Sequence, residues 1–384
     1  MHFEFATARE IVFGAGAVRT LPERVRPHGA SVLVVTGGDP ARAASVLESM
    51  NEAGLAVTIW PTAGEPTIED ARAAVREAHE ERVEVIVGIG GGSAIDLAKA
   101  VAVLATNAGD PLDYLEMIGG GRPVVEAPLP TMAVPTTAGA GAEVTRNAVL
   151  LSREHGVKAS LRSPLMLPRL ALVDPELTLS LPPDVTAATG MDALAQLLEP
   201  YVSVRANPVS DAICLDGLPR VARSLARAWR DGGDLEARAE MSLAALYGGL
   251  ALANAGLGAV HGFAAVLGGR FDAPHGAVCA ALLPGVVRAN AAALADRDRA
   301  SPALARYECA ARILTGRSDA RPTDLGVWLG ELRETLQIPG LRAYGVDATD
   351  AAPIVAAAAR ASSMRANPIV LTPDELHAVL ESAL

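Results

Sequence analysis

The sequence predicts an α/β domain built on a mostly parallel sheet, followed by an all-helical domain. Three observations carry this prediction. Short β-branched runs alternate with helical patterns through the first half of the 384 residues. A glycine-rich turn, Gly88-Ile89-Gly90-Gly91-Gly92-Ser93, joins the strongest of these runs to a helix. Beyond Leu181-Pro182-Pro183, alanine- and leucine-rich patterns at helical spacing replace the β-branched runs. A βαβα rhythm places crossover helices on the faces of a sheet and makes its neighbouring strands parallel.

In chain order, 31–36 (SVLVVT) is predicted as a buried strand and 40–51 as a helix. Residues 56–60 form a second strand and 68–80 a second helix. The run 83–89 (VEVIVGI) is the strongest strand, and 93–104 follows with apolar residues at helical spacing. Residues 131–134 form a further strand, ended by Pro135. Runs 147–152 and 170–173 are additional strands near the end of the domain. Residues 186–198, 208–228, 235–253 and 302–314 are predicted as helices. The boundary falls at 178–184, so residues 1–180 make the α/β domain and 181–384 the helical one.

Composition narrows the function. Half the residues are hydrophobic but only 3% are aromatic, so the core is aliphatic. The formal net charge is −11 and no basic run occurs, which argues against nucleic acid as a partner. Cys214, Cys279 and Cys309 form no CxxC pair, and a sparse, odd set fits a reducing cytoplasm. They are expected to pack as small apolar groups. No basic, apolar leader opens the chain, and no uncharged apolar run reaches the roughly 18 residues of a membrane span. A cytoplasmic protein with no membrane partner is expected.

The turn at 88–93 has the chemistry of a phosphate site. Glycines let backbone approach a ligand closely, and free N–H groups at the start of the next helix favour an anion. A plain βα turn capped by Ser93 is the alternative. A second polar turn, Pro135-Thr136-Thr137-Ala138-Gly139-Ala140-Gly141-Ala142-Glu143, follows another strand, where open α/β sheets bind their ligands. It reads as a nucleotide contact or as a turn capping the next helix.

Asp192, His261 and His275 supply a carboxylate and two imidazoles, a set suited to a divalent transition metal with an open position. Gln196 stands four residues after Asp192, on the same helix face. Its amide oxygen is neutral and a weaker donor than imidazole. A hydrogen-bonded polar cluster without metal is the alternative.

These segments together resemble the iron-containing (group III) alcohol dehydrogenase family over nearly the whole chain. The resemblance is carried by Phe13-Gly14-Ala15-Gly16-Ala17, Gly90-Gly91-Gly92-Ser93-Ala94-Ile95-Asp96-Leu97-Ala98-Lys99 and Pro135-Thr136-Thr137-Ala138-Gly139. Asp174-Pro175-Glu176-Leu177-Thr178, Thr189-Gly190-Met191-Asp192-Ala193-Leu194 and Pro274-His275-Gly276 complete it. It implies a dehydroquinate synthase-like fold, with a Rossmann-like NAD(P)-binding domain and a helical metal and substrate domain. It also implies cofactor contacts at Gly91, Gly92, Ser93, Thr136, Thr137, Gly139 and Leu177, with Asn147 and Lys158 at further contacting positions. The family's metal, Fe2+ or Zn2+, is held by one Asp and three His. Asp192, His261 and His275 match three of these positions, and Gln196 replaces the remaining His. Ala265 stands where many members carry a second His, in an HxxxH pattern linked to proton relay. The resemblance suggests a homodimer.

Gly37 bears on cofactor choice. An acid after this strand commonly accepts the adenosine ribose hydroxyls and selects NAD. Here Gly37 replaces it, with Asp39 and Arg42 nearby, so both NAD and NADP are expected to serve. The expected reaction is reversible hydride transfer between the nicotinamide and a small alcohol or aldehyde. It is metal-assisted, with His261 and His275 at the chemistry. The rivals are a metal-free oxo-acid reductase of the maleylacetate reductase type, a non-redox lyase, and a silent nucleotide-binding protein. The first needs a cation for a carboxylate, and Arg146, Arg162 and Arg270 are the candidates. Phe263, Leu267 and Tyr114 are candidates to line the pocket or to fill the core.

Overall fold

The computed structural model describes residues 2–271 and 273–384. The chain packs as two compact units. One comprises Thr7–Thr137 and Gly141–Thr178, and the other comprises residues 2–6, Ala138–Ala140 and Leu179–Leu384.

The first unit carries strands β1 (Glu10–Phe13), β2 (Ser31–Gly37), β3 (Ala56–Thr62), β4 (Val85–Gly90), β5 (Thr131–Pro135), β6 (Asn147–Ser152), β7 (Val157–Arg162) and β8 (Leu170–Val173). Its α-helices are α1 (Leu21–Val25), α2 (Ala44–Glu52), α3 (Ile68–Glu80), α4 (Gly92–Leu104) and α5 (Pro111–Tyr114). Six strands form one parallel sheet in the order β1-β8-β5-β4-β2-β3. Successive side chains of a strand point to opposite faces. Leu33, Val35 and Ile86 therefore pack with α3 and α4, whereas Val32, Val34, Val85 and Val87 pack with α1 and α2. Burial on both faces is why these strands are apolar throughout rather than alternating.

Several boundaries differ from the sequence reading. β1 and β7 fall on stretches the pattern did not single out. The strand at 147–152 lies outside the main sheet, paired antiparallel with β7. The helix expected from Pro40 opens as a 3-10 turn, Pro40–Ala43, and becomes α-helical at Ala44. Pro135 is the last residue of β5 rather than a stop before it.

The second unit is helical: α6 (Pro183–Val202), α7 (Pro208–Arg230), α8 (Leu235–Ala255), α9 (Ala259–Arg270), α10 (His275–Arg297), α11 (Pro302–Thr315), α12 (Pro322–Thr335), α13 (Ala351–Ala358) and α14 (Pro373–Ala383). The starts follow ordinary capping chemistry. Asn207 accepts N–H groups from Val209 and Ser210 to open α7, and Thr372 pairs reciprocally with Glu375 to open α14. α6 and α10 are the core helices. By length and composition α10 could cross a membrane, yet 83% of its apolar window is buried in this unit. The N-terminal strand-like segment joins here as well, with Ala6 exchanging two backbone bonds with the Asn254 side chain at 2.7 and 3.0 Å.

Candidate active site

In the helical unit, Asp192, Gln196 and Glu199 lie at i, i+4 and i+7 on α6, and all three are buried. Buried carboxylates need partners, and α9 and α10 supply them. α9 delivers His261 in its first turn. α10 delivers His275 as its first residue and Cys279 one turn later. Gly276 makes this approach possible, because a Cβ there would lie 2.1 Å from the Ala188 carbonyl oxygen of α6.

The ligand atoms converge. His261 Nε2 lies 3.2 Å and His275 Nε2 3.7 Å from Asp192 Oδ1. Cys279 Sγ lies 3.7 Å from His275 Nε2 and 4.0 Å from His261 Nε2. Donors bound tetrahedrally to a divalent ion at 2.0–2.3 Å are separated by about 3.3–3.8 Å, so this set matches the size of a metal centre. On the far side of His261, Nδ1 is 2.6 Å from Glu199 Oε2, and Glu199 Oε1 accepts the Val260 N–H at 2.7 Å. An imidazole that donates Nδ1–H to a carboxylate leaves Nε2 as a lone-pair donor, the carboxylate–histidine arrangement of metal sites. Gln196 Nε2 donates to Asp192 Oδ2 at 2.9 Å, while its Oε1 is buried with no hydrogen-bond partner.

Electrostatics tie the cluster together. Burial alone would raise the Asp192 pKa, but the charges of His275 and His261 and the bonds from His261 and Gln196 bring it below the ordinary value. Burial opposes charge on His261, yet Cys279, Asp192 and Glu199 hold its pKa well above the ordinary value. The negative charge available at Cys279 is the largest influence on His275, which is raised to about 9 against the opposing effect of burial. The His275 side chain is 37% exposed and marks the open side of the cluster.

Sequence reasoning missed Glu199 and Cys279. Glu199 lies seven residues after Asp192, and Cys279 four after His275, so helical spacing carried a signal for both. The expectation that the cysteines pack as small apolar groups holds for Cys214 in the helical core and Cys309 against it, while Cys279, in the same core, also sits among the ligand atoms. Phe263, Leu267 and Tyr114 are fully or nearly fully buried core residues. Arg162 is exposed and paired with Glu116, Arg270 is exposed at the end of α9, and Arg146 is half-buried. Ala265, at the expected relay position, is exposed.

In the α/β unit, strand order brings the predicted nucleotide residues together. β3 lies to one side of β2 and β4 to the other, so the direction in which successive strands are added reverses between β2 and β4. Ligands of open sheets bind at the carboxyl ends flanking such a reversal. Gly37 ends β2, and Gly91 caps α4 after β4. The Thr136 N–H bonds to the Gly90 carbonyl at 2.9 Å, and Thr137 lies beside Gly91. The α4 helix begins at Gly92, so Ser93 lies in its first turn and does not cap it; no side chain caps this helix. The first N–H groups of α4 are thereby left for an anion.

The other predicted contacts lie elsewhere in the units. Gly139 packs in the helical unit, where a Cβ would come within 2.7 Å of Thr189 Cβ, so close packing accounts for this glycine. Asn147 and Lys158 sit near opposite ends of the β6–β7 hairpin, and Lys158 Nζ pairs with Glu65 at 2.8 Å. Leu177 lies in the turn Pro175–Thr178 and packs against the sheet core.

Two family models match the chain: iron-containing alcohol dehydrogenase over residues 8–175, and the C-terminal region of the Fe-containing alcohol dehydrogenase family over residues 186–384. Alcohol dehydrogenase 4 of Saccharomyces cerevisiae is 35% identical over 97% of this chain and 96% of its own length. The crystal structure of a 1,3-propanediol oxidoreductase superimposes with a TM-score of 0.91 at 32% identity, covering 100% of both chains. A sulfoacetaldehyde reductase from Bifidobacterium kashiwanohense, solved in complex with NAD+, gives 0.86 at 27% identity, covering 100% of this chain and 99% of its own.

Proposed function

The chain belongs to the iron-containing alcohol dehydrogenase family and is an oxidoreductase acting on CH–OH groups, and from that premise we propose a metal-assisted reductase of small aldehydes that uses either NADH or NADPH. The carrying observation is the convergence of Asp192 Oδ1, His261 Nε2 and His275 Nε2, with Glu199 fixing the His261 tautomer. When bound, a divalent metal supplies Lewis acidity toward a carbonyl oxygen, and the nicotinamide supplies the hydride.

Within the chain, Asp192, His261 and His275 would hold the ion, and Gln196 steadies Asp192 through its amide N–H. His275 stands on the side open to substrate; with its Nε2 given to the ion, the product oxygen would take its proton there from water or a ribose hydroxyl. Gly37, Gly91, Gly92, Ser93, Thr136 and Thr137 would cradle the nucleotide, with Asn147, Lys158 and Leu177 of the same unit as further contacts. The enzyme is read as a cytoplasmic homodimer.

Dual cofactor use has its own support. Space above Gly37 is open, with no atom within 4 Å of a Cβ placed there. Asp39, the next acid, accepts the Ala41 N–H at 3.1 Å and so caps its own turn. A carboxylate at position 37 would repel a 2′-phosphate. Gly37→Asp is therefore expected to lower kcat/KM for NADPH at least about tenfold, a change of about 1.4 kcal/mol, and to leave NADH use intact. No change for either cofactor would place the nucleotide elsewhere, and an equal fall for both would mean that position 37 does not face the 2′-position.

The test of the reaction is metal analysis of the purified protein with NADH- and NADPH-linked reduction of an aldehyde panel before and after chelation. Activity lost on chelation and restored by Fe2+ or Zn2+ supports the proposal. Full activity in metal-free protein overturns the metal's part in it and turns the search toward oxo acids.

A further inference from the structure

We propose that Cys279 is the fourth protein ligand of this centre, so that the chain holds zinc through one carboxylate, two imidazoles and one thiolate. The proposal rests on the metal-dependent reading above and names the donor that takes the place of the His replaced by Gln196.

The ligand atoms of Asp192, His261, His275 and Cys279 all lie within 4.8 Å of one another. Cys279 Sγ stands 3.7 and 4.0 Å from the two Nε2 atoms. A zinc with Zn–S near 2.3 Å and Zn–N near 2.0–2.1 Å at tetrahedral angles separates sulfur from nitrogen by about 3.5 Å, and a substrate oxygen would then enter as a fifth ligand. The two sulfur–nitrogen distances reach that spacing by contracting about 0.2–0.5 Å. The helix favours the pair, because His275 and Cys279 are one turn apart on α10 and share a face.

Gln196 is poorly placed to be that donor. Its N–H is committed to Asp192 Oδ2 at 2.9 Å. Its carbonyl Oε1 is turned toward α8, 3.4 Å from where a side chain at Gly248 would begin. Coordination through Oε1 would remove the N–H from Asp192 and bring a carbonyl oxygen toward a carboxylate. Gln196 is thus a positioning residue for Asp192.

Charge supports the same assignment. Asp192, His261 and Cys279 are buried, and an uncompensated charge in such a site is costly. Within the ligand set itself, one carboxylate and one thiolate balance a divalent ion, while Glu199 stands outside that set against His261 Nδ1. A thiolate also moves selectivity toward zinc and away from metals that favour oxygen donors.

The experiment is zinc X-ray absorption on the full-length protein, reconstituted with zinc alone and compared with Cys279→Ser and Gln196→Ala. The expected wild-type spectrum has one sulfur at about 2.3 Å beside nitrogen and oxygen at about 2.0–2.1 Å. C279S is expected to lose the sulfur shell and bind zinc at least about tenfold more weakly, and Q196A to retain the sulfur shell. A zinc-loaded wild type with only nitrogen and oxygen neighbours overturns this proposal and leaves the metal-assisted reading standing. A wild type that takes up no metal overturns both. Should C279S fail to fold, the cobalt-substituted wild type decides: a sulfur-to-cobalt charge-transfer band in the near ultraviolet supports the assignment, and its absence refutes it.

Discussion

Glu199 determines which nitrogen of His261 is free to bind a metal. Its Oε2 lies 2.6 Å from Nδ1 while Oε1 holds the Val260 N–H. Glu199→Gln preserves the shape and the bond to Val260, but turns an amide N–H toward Nδ1. The imidazole proton is then driven to Nε2, the atom that faces Asp192. We expect zinc affinity to fall about 10–100-fold with little loss of helical content. Competition against a chromophoric chelator measures it, and an unchanged affinity would mean that the tautomer is set by something else. The sequence made Asp192, His261 and His275 legible because a carboxylate and two histidines stand in motifs whose chemistry is specific. Glu199 and Cys279 carry no such motif. An acid or a thiol at helical spacing from a ligand usually faces solvent or core, and only folding shows that these two face the cluster.

The approach of α10 to α6 is set by one missing side chain. A Cβ on Gly276 would lie 2.1 Å from the Ala188 carbonyl oxygen, and backbone there has no flexible end to yield. Gly276→Ala is expected to destabilise the helical unit by about 1–3 kcal/mol through overpacking. It should also weaken metal binding, since His275 and Cys279 ride on the displaced turn. Gly330 on α12 is the control: no atom lies within 4 Å of its added Cβ. There Gly→Ala should stabilise by about 0.5–1 kcal/mol through helix propensity. Denaturant titrations of the two variants should move in opposite directions; a shared direction would contradict the packing argument. The same helices explain what the pattern could not show. The bounds of α3, β6 and β8 match the sequence reading, because turn residues or amphipathic periodicity frame each of them. α9 and α10 are apolar nearly all round, as befits core helices, so they lack the one-sided stripe that marks a surface helix. β1 has only four residues at the sheet edge, and its apolar run is just Ile11, Val12 and Phe13, none of them buried.

The molecule carries a formal net charge of −11 and nevertheless buries acids away from the Asp192–His261–His275 cluster. Two acids of the α/β unit, the partly buried Asp96 and the buried Glu143, differ in how they are compensated. Asp96 pairs with Lys99 at 2.9 Å and accepts the Val149 N–H at 3.0 Å, which ties α4 to the β6–β7 hairpin. Glu143 is buried in the turn Ala142–Val144, and its main compensation is its own backbone N–H, with a weaker contribution from the Lys99 charge. Burial raises its pKa from 4.5 to about 7. Below its unfolded pKa both states are protonated and Glu143 leaves stability independent of pH. As pH rises from there toward 7, the unfolded chain releases a proton that the folded chain retains, so stability falls. Above the folded pKa the loss is complete, and it amounts to as much as about 3 kcal/mol for a shift of this size. Glu143→Gln keeps the shape and removes the titration. The variant should therefore gain on the wild type between about pH 5 and pH 8, in whichever unfolding transition reports the α/β unit. Denaturation curves at the two pH values measure that difference. A gap that stays constant would mean that Glu143 is already ionised in the fold, with its charge met by a partner stronger than its own backbone.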